Sequence, residues 1–417
     1  MTSQAALRGP VARQRAGNVQ REAHQPDYVI LVAVVALAAI GILMVYSSSA
    51  MKAYVQYDDT LRIVGPQIQW AVLGVVAMLV MARVDYRVLR VASVPLYVLA
   101  LALLVLVFVP ALNREVGGSA RWLQLGPLPA VHPAEFAKLA LIVYLAHWFA
   151  RRGSQVRGWW SGTIPFLVIT APIVLLVLRE PDLGTTSVIA LTAFVLYFVA
   201  GANLVHLAAM GATGLSVGLL VVSRTPYMLD RLKGFADPWR DPQGTGFHTI
   251  QGLFALGLGG LFGAGLGASR EAGGLFLPNA FNDFIFAIIG EEFGLVGGLV
   301  VIGLFVALAY AGIRTALRAP DTFGGLLAAG ITTWLCLQAF INIGVVVALL
   351  PVTGIPLPFI SAGGSSLVIS FAAAGILLSI SRETVERGTW NDAAGDRGRG
   401  HGRAHLPGPR RRPLAAR

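Results

Sequence analysis

Residues 28–46 read YVILVAVVALAAIGILMVY, a stretch without a single charge. A helix needs about 20 apolar residues to cross the roughly 30 Å of hydrocarbon in a bilayer. The whole chain has the same character, because 56% of its 417 residues are hydrophobic and only 13% are charged, against about 25% charged residues in an average soluble domain. The sequence therefore predicts an all-α polytopic membrane protein, and it excludes a soluble enzyme, a nucleic-acid-binding domain and a disordered chain.

Apolar blocks of this kind recur along the chain and predict about ten transmembrane helices. They cover approximately residues 28–46, 65–83, 91–110, 134–150, 162–178, 184–201, 203–222, 284–313, 325–350 and 366–381. The spans form one membrane domain over residues 28–382, between an N-terminal tail of residues 1–27 and a C-terminal tail of residues 383–417. A polar region precedes the first span and nine further spans follow it, so the first span is not a cleaved signal.

The distribution of basic residues predicts the orientation. An even number of spans places both termini on one side, and the segments on that side hold 21 of the 32 Lys and Arg residues. Basic residues concentrate on the cytoplasmic side of membrane proteins, so both termini are expected in the cytoplasm. The C-terminal tail is rich in Arg, Gly and Pro, a composition typical of disorder. Its charge suits an anionic leaflet better than nucleic acid.

One long connection, about residues 223–283, is expected on the outer side of the membrane. It joins spans seven and eight and contains the glycine-dense stretch TIQGLFALGLGGLFGAGLGAS (residues 249–269), which predicts a short helix plus a re-entrant or interfacial piece. The link between spans nine and ten, LLPVTGIPLPFISAGGSS (residues 349–366), carries three prolines and no charge. Non-helical backbone of that apolarity is expected to be buried in protein or to line a cavity.

Charged residues inside predicted spans are candidates for function, because charge at membrane depth is costly. Glu135 and Lys138 are three residues apart at the start of span four, so they share one helix face. Two interpretations are open: the two residues form an internal ion pair, or Lys138 lines a substrate cavity and offsets phosphate charge. Glu291 and Glu292 in span eight are expected to be hydrogen-bonding partners between helices.

Asp283 lies where the first long connection meets span eight. A helix N-terminus favours an ionised carboxylate, and such a group at the outer membrane face suits a general base toward a hydroxyl. A plain helix cap is the alternative interpretation.

The outer connections also carry cationic residues beside aromatic residues or proline. Solvated loop charges are one interpretation. A cluster that holds a pyrophosphate is the other, since guanidinium groups bind phosphate in bidentate fashion. These residues are Arg121, Arg224, Arg231, Lys233 and Arg240.

Six blocks of the sequence, in order, resemble the SEDS family (shape, elongation, division and sporulation). They are GSARWLQLG (118–126), HPAEFAKL (132–139), EPDLGTT (180–186), DPWRDPQGTGFHTIQ (237–251), NDFIFAIIGEEFG (282–294) and PVTGIPLPFISAGGSS (351–366). The resemblance extends over residues 28–382. It implies a peptidoglycan glycosyltransferase that polymerises lipid II, a disaccharide-pentapeptide on undecaprenyl pyrophosphate, at the outer membrane face.

The family resemblance also implies roles for individual residues. Asp283 falls on the essential aspartate of the family and is the expected general base. Lys138 and Glu135 match its paired charges, whereas Asp182 and Arg231 match other polar positions implicated in activity. The expected pyrophosphate-binding residues are Lys138, Arg231, Arg121 and Lys233, and the expected polar support residues are Glu135, Asp182, Glu291 and Ser365. The resemblance implies no certain cofactor, and a divalent cation (Mg or Mn) that stabilises the leaving pyrophosphate is the candidate.

The resemblance further implies partners and a cellular place. A class B penicillin-binding protein is expected as transpeptidase partner, together with other division proteins, in the cytoplasmic membrane at the division septum. The sequence leans toward the septal, FtsW-like branch; side-wall synthesis of the RodA-like kind and lipid II transport are the alternatives. A transporter is expected to show inverted repeats, and the sequence shows no convincing repeat.

The chain departs from the usual family pattern at several positions. Before the aspartate, Asn279, Phe281 and Asn282 stand where Glu, His and Thr are common. Gly252 stands where Gln-Ser is usual, and Glu180 stands where Gln is usual. We expect the loss of the histidine and the threonine to alter the immediate hydrogen bonding of Asp283.

Overall fold

The structure is a computed structural model that describes residues 25–116, 119–124, 129–273, 276–277 and 280–383. The predictions for the two tails, and Asn279 beside the site, therefore lie wholly or almost wholly outside the described residues.

Helices dominate the described part of the chain. They are α1 (Tyr28–Tyr57), α2 (Val64–Arg83), α3 (Val88–Leu106), α4 (Pro133–Arg152), α5 (Ile164–Arg179), α6 (Leu183–Val199), α7 (Leu204–Arg224), α8 (Pro226–Ala236), α9 (Phe247–Gly259), α10 (Arg270–Gly273), α11 (Ile285–Arg318), α12 (Thr322–Val346) and α13 (Ser365–Ser381). Short 3₁₀ segments cover Gly153–Arg157 and Pro238–Arg240, and a π-helical turn (Trp159–Thr163) leads into α5. Strands β1 (Asn113–Val116) and β2 (Ser119–Leu123) form an antiparallel hairpin between α3 and α4.

Each of the ten predicted spans coincides with a helix, and the predicted helical membrane fold is confirmed. Among the described residues, seven helical stretches are long and apolar enough to cross a membrane. Of the other three, α6 and α13 are shorter apolar helices, and α4 carries Glu135 and Lys138. The count of ten crossings stays a prediction.

Helix α12 is the central element of the bundle. It packs against α4, α6, α11 and α13, and 67% of its most apolar stretch is buried by protein. In contrast, α7 packs mainly against α8 and α6, and only 6% of its most apolar stretch is buried by protein. The side chains of α12 are therefore the ones that reach several other elements at once.

Polar contacts join the first and last residues of the membrane domain at one end of the bundle. The backbone N–H of Asp27 donates to Ser381 Oγ over 3.0 Å, and the Asp27 carboxylate accepts from Arg314 at the end of α11. Arg87, before α3, donates to Glu383 over 2.5 Å. These contacts bring the first and last predicted spans to the same side of the molecule.

The long connection of residues 223–283 folds mainly into helices. It contains α8, α9 and α10, and the predicted short helix corresponds to α9. The glycine-dense stretch beyond α9 pairs with α11, which is interrupted at Gly294 (φ 67°, ψ −163°). The backbone N–H groups of Leu295 and Val296 donate to Gly260 and Leu261 over 2.9 and 3.2 Å. Backbone groups that the interruption frees are thus satisfied by this connection.

Candidate active site

Asp283 is held in place through the backbone of its own segment. Asn342 Nδ2 donates to the Asp283 carbonyl over 2.8 Å. The two preceding carbonyls, of Phe281 and Asn282, accept from Ala362 N–H over 2.9 Å and from Ser361 Oγ over 2.5 Å. Because three carbonyls in a row are fixed by α12 and by the connection before α13, the carboxylate has a defined position.

Arg231 of α8 faces Asp283 across Gly354. The Arg231 Nη1 group donates to the Val352 carbonyl over 3.0 Å, and its guanidinium carbon lies 4.5 Å from the centre of the Tyr227 ring. A Cβ added at Gly354 (φ 73°) would lie 3.8 Å from Asp283 Oδ2 and 4.0 Å from Arg231 Nη1. Gly354 therefore lies between the carboxylate and the guanidinium and adds no side chain to the space that separates them.

His248 of α9 completes this cluster. Its ring centre is 5.8 Å from that of Phe284, and its charge state is coupled to both Asp283 and Arg231. Burial lowers the pKa of His248, with the Arg231 charge acting in the same direction and the Asp283 charge against it. His248 is thus a neutral hydrogen-bonding group near pH 7 rather than a cation. We define Asp283, Arg231, His248 and Gly354 as the carboxylate site.

Burial also raises the pKa of the Asp283 carboxyl, while a hydrogen bond from its own backbone and the neighbouring His248 and Arg231 lower it. The N-cap position of α11 is Phe284, not Asp283, so a plain helix cap does not describe this residue. Burial therefore outweighs the stabilisation of the ionised form that the helix N-terminus suggested. A carboxylate with a raised pKa is a stronger base once it is ionised.

Lys138 and Glu135 form an internal ion pair, which is the first of the two interpretations that the sequence leaves open. Lys138 Nζ lies 2.9 Å from Glu135 Oε2 and donates to Gln338 Oε1 over 2.7 Å. The side chain is 2% exposed, and its ammonium lies 5.0 Å from the centre of the Trp334 ring. Glu135 Oε2 also accepts from Ser366 Oγ over 2.9 Å. With these partners Lys138 has no open approach to a phosphate, so the geometry favours a supporting role over direct contact.

Gln338 and Asn342 are site residues that sequence reasoning missed. They lie one turn apart on α12 and donate to the carbonyls of Pro356 and Ile355 over 2.9 and 2.8 Å. The two amides thus connect Lys138 and the Asp283 segment to the same short piece of the connection before α13. Two amide residues four apart in an apolar span are the signal that identifies them, since a buried amide needs partners.

A second polar cluster surrounds Asp182, the N-cap residue of α6. Asp182 accepts from the Thr185 N–H over 3.0 Å and lies 3.7 Å from His132 Nε2 and 3.9 Å from Arg121 Nη1. The Arg121 Nε group donates to the Glu180 carbonyl over 3.1 Å. Arg121 therefore binds the turn between α5 and α6, and no contact among the described residues brings it to Asp283.

The remaining predicted residues have separate places. Lys233 is 63% exposed and pairs with Asp230 over 3.4 Å, and Arg224 and Arg240 are exposed. Glu291 accepts from Ser269 Oγ over 2.5 Å and from the Arg270 N–H over 2.6 Å, which ties the start of α10 to α11. Ser365 Oγ accepts from the His132 N–H over 3.0 Å and so joins the starts of α13 and α4.

The residues around Asp283 do not suit a resident divalent cation. Within the described ranges, no group of three or more His, Cys, Asp or Glu side chains converges in a way that could hold a metal ion. The carboxylate site offers one carboxylate, a histidine and a guanidinium, and the last repels a cation.

Fold and site together define a multi-pass helical membrane protein with a half-buried carboxylate opposite a guanidinium at one end of the bundle. Residues 28–386 match the model of the FtsW/RodA/SpoVE family, described as cell cycle proteins. The chain belongs to this family.

Individual relatives and solved structures resemble the chain over nearly all of its membrane domain. Stage V sporulation protein E of Bacillus subtilis is 42% identical over 86% of this chain and 97% of its own length. The probable peptidoglycan glycosyltransferase FtsW of Trichlorobacter lovleyi is 40% identical over 85% of this chain and 93% of its own.

Two solved structures share the fold. A chain from a peptidoglycan synthase complex, reported for its coordination of polymerization and crosslinking, superimposes with a TM-score of 0.69 at 30% identity. It covers 86% of this chain and 98% of its own. The rod shape determining protein RodA of Thermus thermophilus gives a TM-score of 0.63 at 29% identity, with 87% and 98% covered.

Proposed function

We propose that this protein is a peptidoglycan glycosyltransferase that polymerises lipid II into β-1,4 glycan strands at the outer face of the cytoplasmic membrane. Membership of the FtsW/RodA/SpoVE family and relatives named as probable peptidoglycan glycosyltransferases support the reaction class. The observation that carries the proposal is the position of Asp283 opposite Arg231 across Gly354. It offers a proton acceptor and a fixed cation on either side of this glycine.

In the proposed reaction, Asp283 accepts the proton of the acceptor sugar's 4-hydroxyl as that oxygen attacks the anomeric carbon of the donor. The new carbon–oxygen bond forms as the bond to the undecaprenyl pyrophosphate breaks, and the electron pair leaves with the pyrophosphate. Attack opposite the leaving group inverts the anomeric centre and gives a β linkage from an α-linked donor. The proton stays on Asp283 until it passes to solvent, so the step balances without a cofactor.

Arg231 is the cation of the carboxylate site, and we assign it to the leaving pyrophosphate. Negative charge accumulates on the phosphate oxygens as the bond breaks, and a preorganised guanidinium stabilises that charge. Its bond to the Val352 carbonyl and its stacking on Tyr227 fix its position before substrate arrives. We assign Lys138 an indirect, positioning role: it binds Gln338, which in turn holds the connection before α13.

The biological setting is proposed from the named relatives. FtsW proteins at about 40% identity favour a role in septal wall synthesis during cell division over side-wall elongation. The fold shared with a chain of a synthase complex that polymerises and crosslinks favours a class B penicillin-binding protein as partner, since the described residues of this chain include no separate outer domain for transpeptidation.

The decisive test is polymerisation of labelled lipid II by the full chain with its cognate transpeptidase. Asp283→Asn keeps the shape of the side chain and removes the base, so we expect folded protein without glycan ladders. Asp230→Asn is the matched control, because Asp230 belongs to the same connection and pairs only with the exposed Lys233 among the described residues. A full ladder from Asp283→Asn contradicts the general-base assignment. Lipid II crossing liposome bilayers without any ladder from wild type contradicts the enzyme and identifies a transporter.

A further inference from the structure

A groove between α1 and α11 has a polar upper part and an apolar lower part. The upper cavity, of about 560 Å³, is lined by Tyr46, Ser47, Tyr54, Ser269 and Glu292 among others. The lower cavity, of about 440 Å³, is lined by apolar side chains and glycine, including Ile40, Val296 and Val300. Leu43 lines both cavities, so the two parts adjoin.

The length of the groove matches one leaflet of a bilayer. On α11 the lining runs from Ile289 to Val301, which is roughly 18 Å at the rise of an α-helix. Half of a hydrocarbon core is about 15 Å. Exposed tyrosines at positions 46 and 54 line the upper part, and tyrosine is typical of the headgroup level. The groove is thus shaped for an amphiphile whose headgroup lies above and whose chain lies below.

The polar part of the groove is electronegative. Glu292 is 1% exposed, and its Oε1 accepts from Ser47 Oγ over 2.5 Å. Its Oε2 has no hydrogen-bond partner among the described residues, although the backbone amides of Gly267 and Ser269 lie beside the carboxylate. A buried carboxylate oxygen without a donor is costly, and a ligand that brings an N–H⁺ donor removes this cost.

We propose that this groove binds a bilayer lipid whose headgroup carries a primary ammonium. The ammonium donates to the Glu292 carboxylate and lies near Tyr46, whose ring attracts cations, while an acyl chain occupies the lower cavity. A headgroup that is only anionic is repelled by Glu292, and by Glu291 beside it. A trimethylated headgroup keeps the charge but has no N–H to donate.

The test is lipid retention by the full chain, measured by native mass spectrometry after reconstitution with three lipids that have the same acyl chains. Phosphatidylethanolamine supplies the primary ammonium, phosphatidylcholine its trimethylated form and phosphatidylglycerol an uncharged diol beside the phosphate. We expect phosphatidylethanolamine to be retained roughly tenfold more than the other two, the effect of one charge-assisted hydrogen bond. Equal retention of all three lipids overturns the proposal.

Variants test the two parts of the groove separately. Glu292→Gln keeps an acceptor for Ser47 and is expected to abolish the preference for the primary ammonium; a retained preference overturns the proposal. Val300→Trp fills the lower cavity and is expected to reduce retention of every lipid. Val306→Trp is its matched control, since Val306 is also exposed on α11 but does not line the groove.

Two further measurements keep the proposal falsifiable if Glu292→Gln does not fold. Tyr46→Leu leaves the carboxylate intact and is expected to weaken phosphatidylethanolamine retention alone; no change in that retention counts against the proposed headgroup site. Displacement of the bound lipid by lipid II at equal concentration assigns the groove to the substrate and overturns the proposal. All of these readouts are independent of glycan polymerisation, so they stand or fall separately from the proposed enzyme activity.

Discussion

Asn342 has a defined effect on the site because one amide group holds two backbone segments. Its Nδ2 donates to the carbonyls of Asp283 and Ile355, both over 2.8 Å. Asn342→Asp keeps the shape but removes both donors and faces the carbonyls with negative charge. We expect polymerisation to slow by about 10- to 100-fold, because displacement of a reacting group by a fraction of an ångström is costly. The measurement is the glycan-forming rate, with kcat and KM determined separately.

A control for this variant must lose stability without touching the site. Asn203→Ala removes the N-cap hydrogen bond to the Val205 N–H at the start of α7 and is expected to cost about 1 kcal/mol. We expect its rate to equal that of wild type. Equal losses of rate in the two variants would reduce the role of Asn342 to stability alone.

The pH dependence of the rate tests the electrostatics of the carboxylate site. Asp283 acts as a base only when ionised, and burial raises its pKa. The rate is therefore expected to fall as the pH is lowered, with a midpoint above the ordinary aspartate pKa of about 3.9. Because the Arg231 charge lowers the Asp283 pKa, Arg231→Ala is expected to move this acid limb to higher pH as well as to slow the reaction.

The matched control is Lys233→Ala, a cation on the same helix that pairs with Asp230. Its acid limb is expected to coincide with that of wild type. An acid limb that stays in place in Arg231→Ala would show that Arg231 and Asp283 are not coupled during the reaction.

Glu180 shows how a departure from a family pattern can be chemically small. Burial and the neighbouring Asp182 charge raise the pKa of Glu180 to about 8. The side chain is therefore neutral near pH 7 and offers a donor and an acceptor, as the glutamine common at this position in the family does. By linkage, the neutral form favours folding below the unfolded pKa, and this contribution is lost as pH rises toward 8.

The sequence identified Asp283 as the candidate base but did not predict its surroundings. Asp283 was predictable because a carboxylate at the junction of a loop and an apolar span is rare and costly. Its approach to Arg231 and Gly354 was not predictable from spacing, since these residues lie in three different segments, and the connection before α13 contacts both of the others. Gln338 and Asn342 were overlooked because amides carry no charge and do not interrupt an apolar span.

At the scale of elements, the interruption of α11 is the feature that depends most on single residues. Gly294 has a positive φ, and a Cβ there would lie 2.5 Å from backbone atoms of Leu261 and Gly263. Gly294→Ala is therefore expected to lower the free energy of unfolding by about 2–4 kcal/mol, from the strain of the backbone and the displacement of the neighbouring segment.

The same helix provides the control for this prediction. An added Cβ at Gly303 meets no atom within 4 Å, so Gly303→Ala is expected to be neutral or to stabilise by up to about 1 kcal/mol through helix propensity. Both are measured as thermal unfolding of the purified protein in detergent. Similar midpoints for the two variants would show that the interruption is not a packing constraint.

The predicted spans agree with the helices where the pattern is purely apolar and differ where helices continue beyond it. The first span was expected to end near residue 46, whereas α1 continues to Tyr57 through SSSAMKAYVQY. Polar residues at a helix end are compatible with water or headgroups, so hydropathy does not mark the last turns. The pairing of the glycine-dense connection with α11 depends on backbone bonds, which leave no periodic signal in the sequence.

At the scale of the whole molecule, the polar contacts separate into two ends. The carboxylate site, the Asp182 cluster and the junction of Ser365 with His132 lie at one end. The junctions of Asp27 with Ser381 and of Arg87 with Glu383 lie at the other. These contacts do not distinguish the cytoplasmic end from the outer end. The excess of basic residues in the tails and in the segments near the second end predicts that the second end faces the cytoplasm.

Cysteine accessibility in intact cells tests this orientation directly. Cys336 is the only cysteine of the chain, so Cys336→Ser gives a background free of thiols. In it, Asp59→Cys lies just after α1, at the end of the carboxylate site, and Gln155→Cys lies between α4 and α5 at the opposite end; both positions are exposed. A membrane-impermeant maleimide is expected to label position 59 in intact cells and position 155 only after permeabilisation. The reverse pattern would place Asp283 in the cytoplasm, where the lipid-linked donor of the proposed reaction is not polymerised, and would contradict both the orientation and the proposed function.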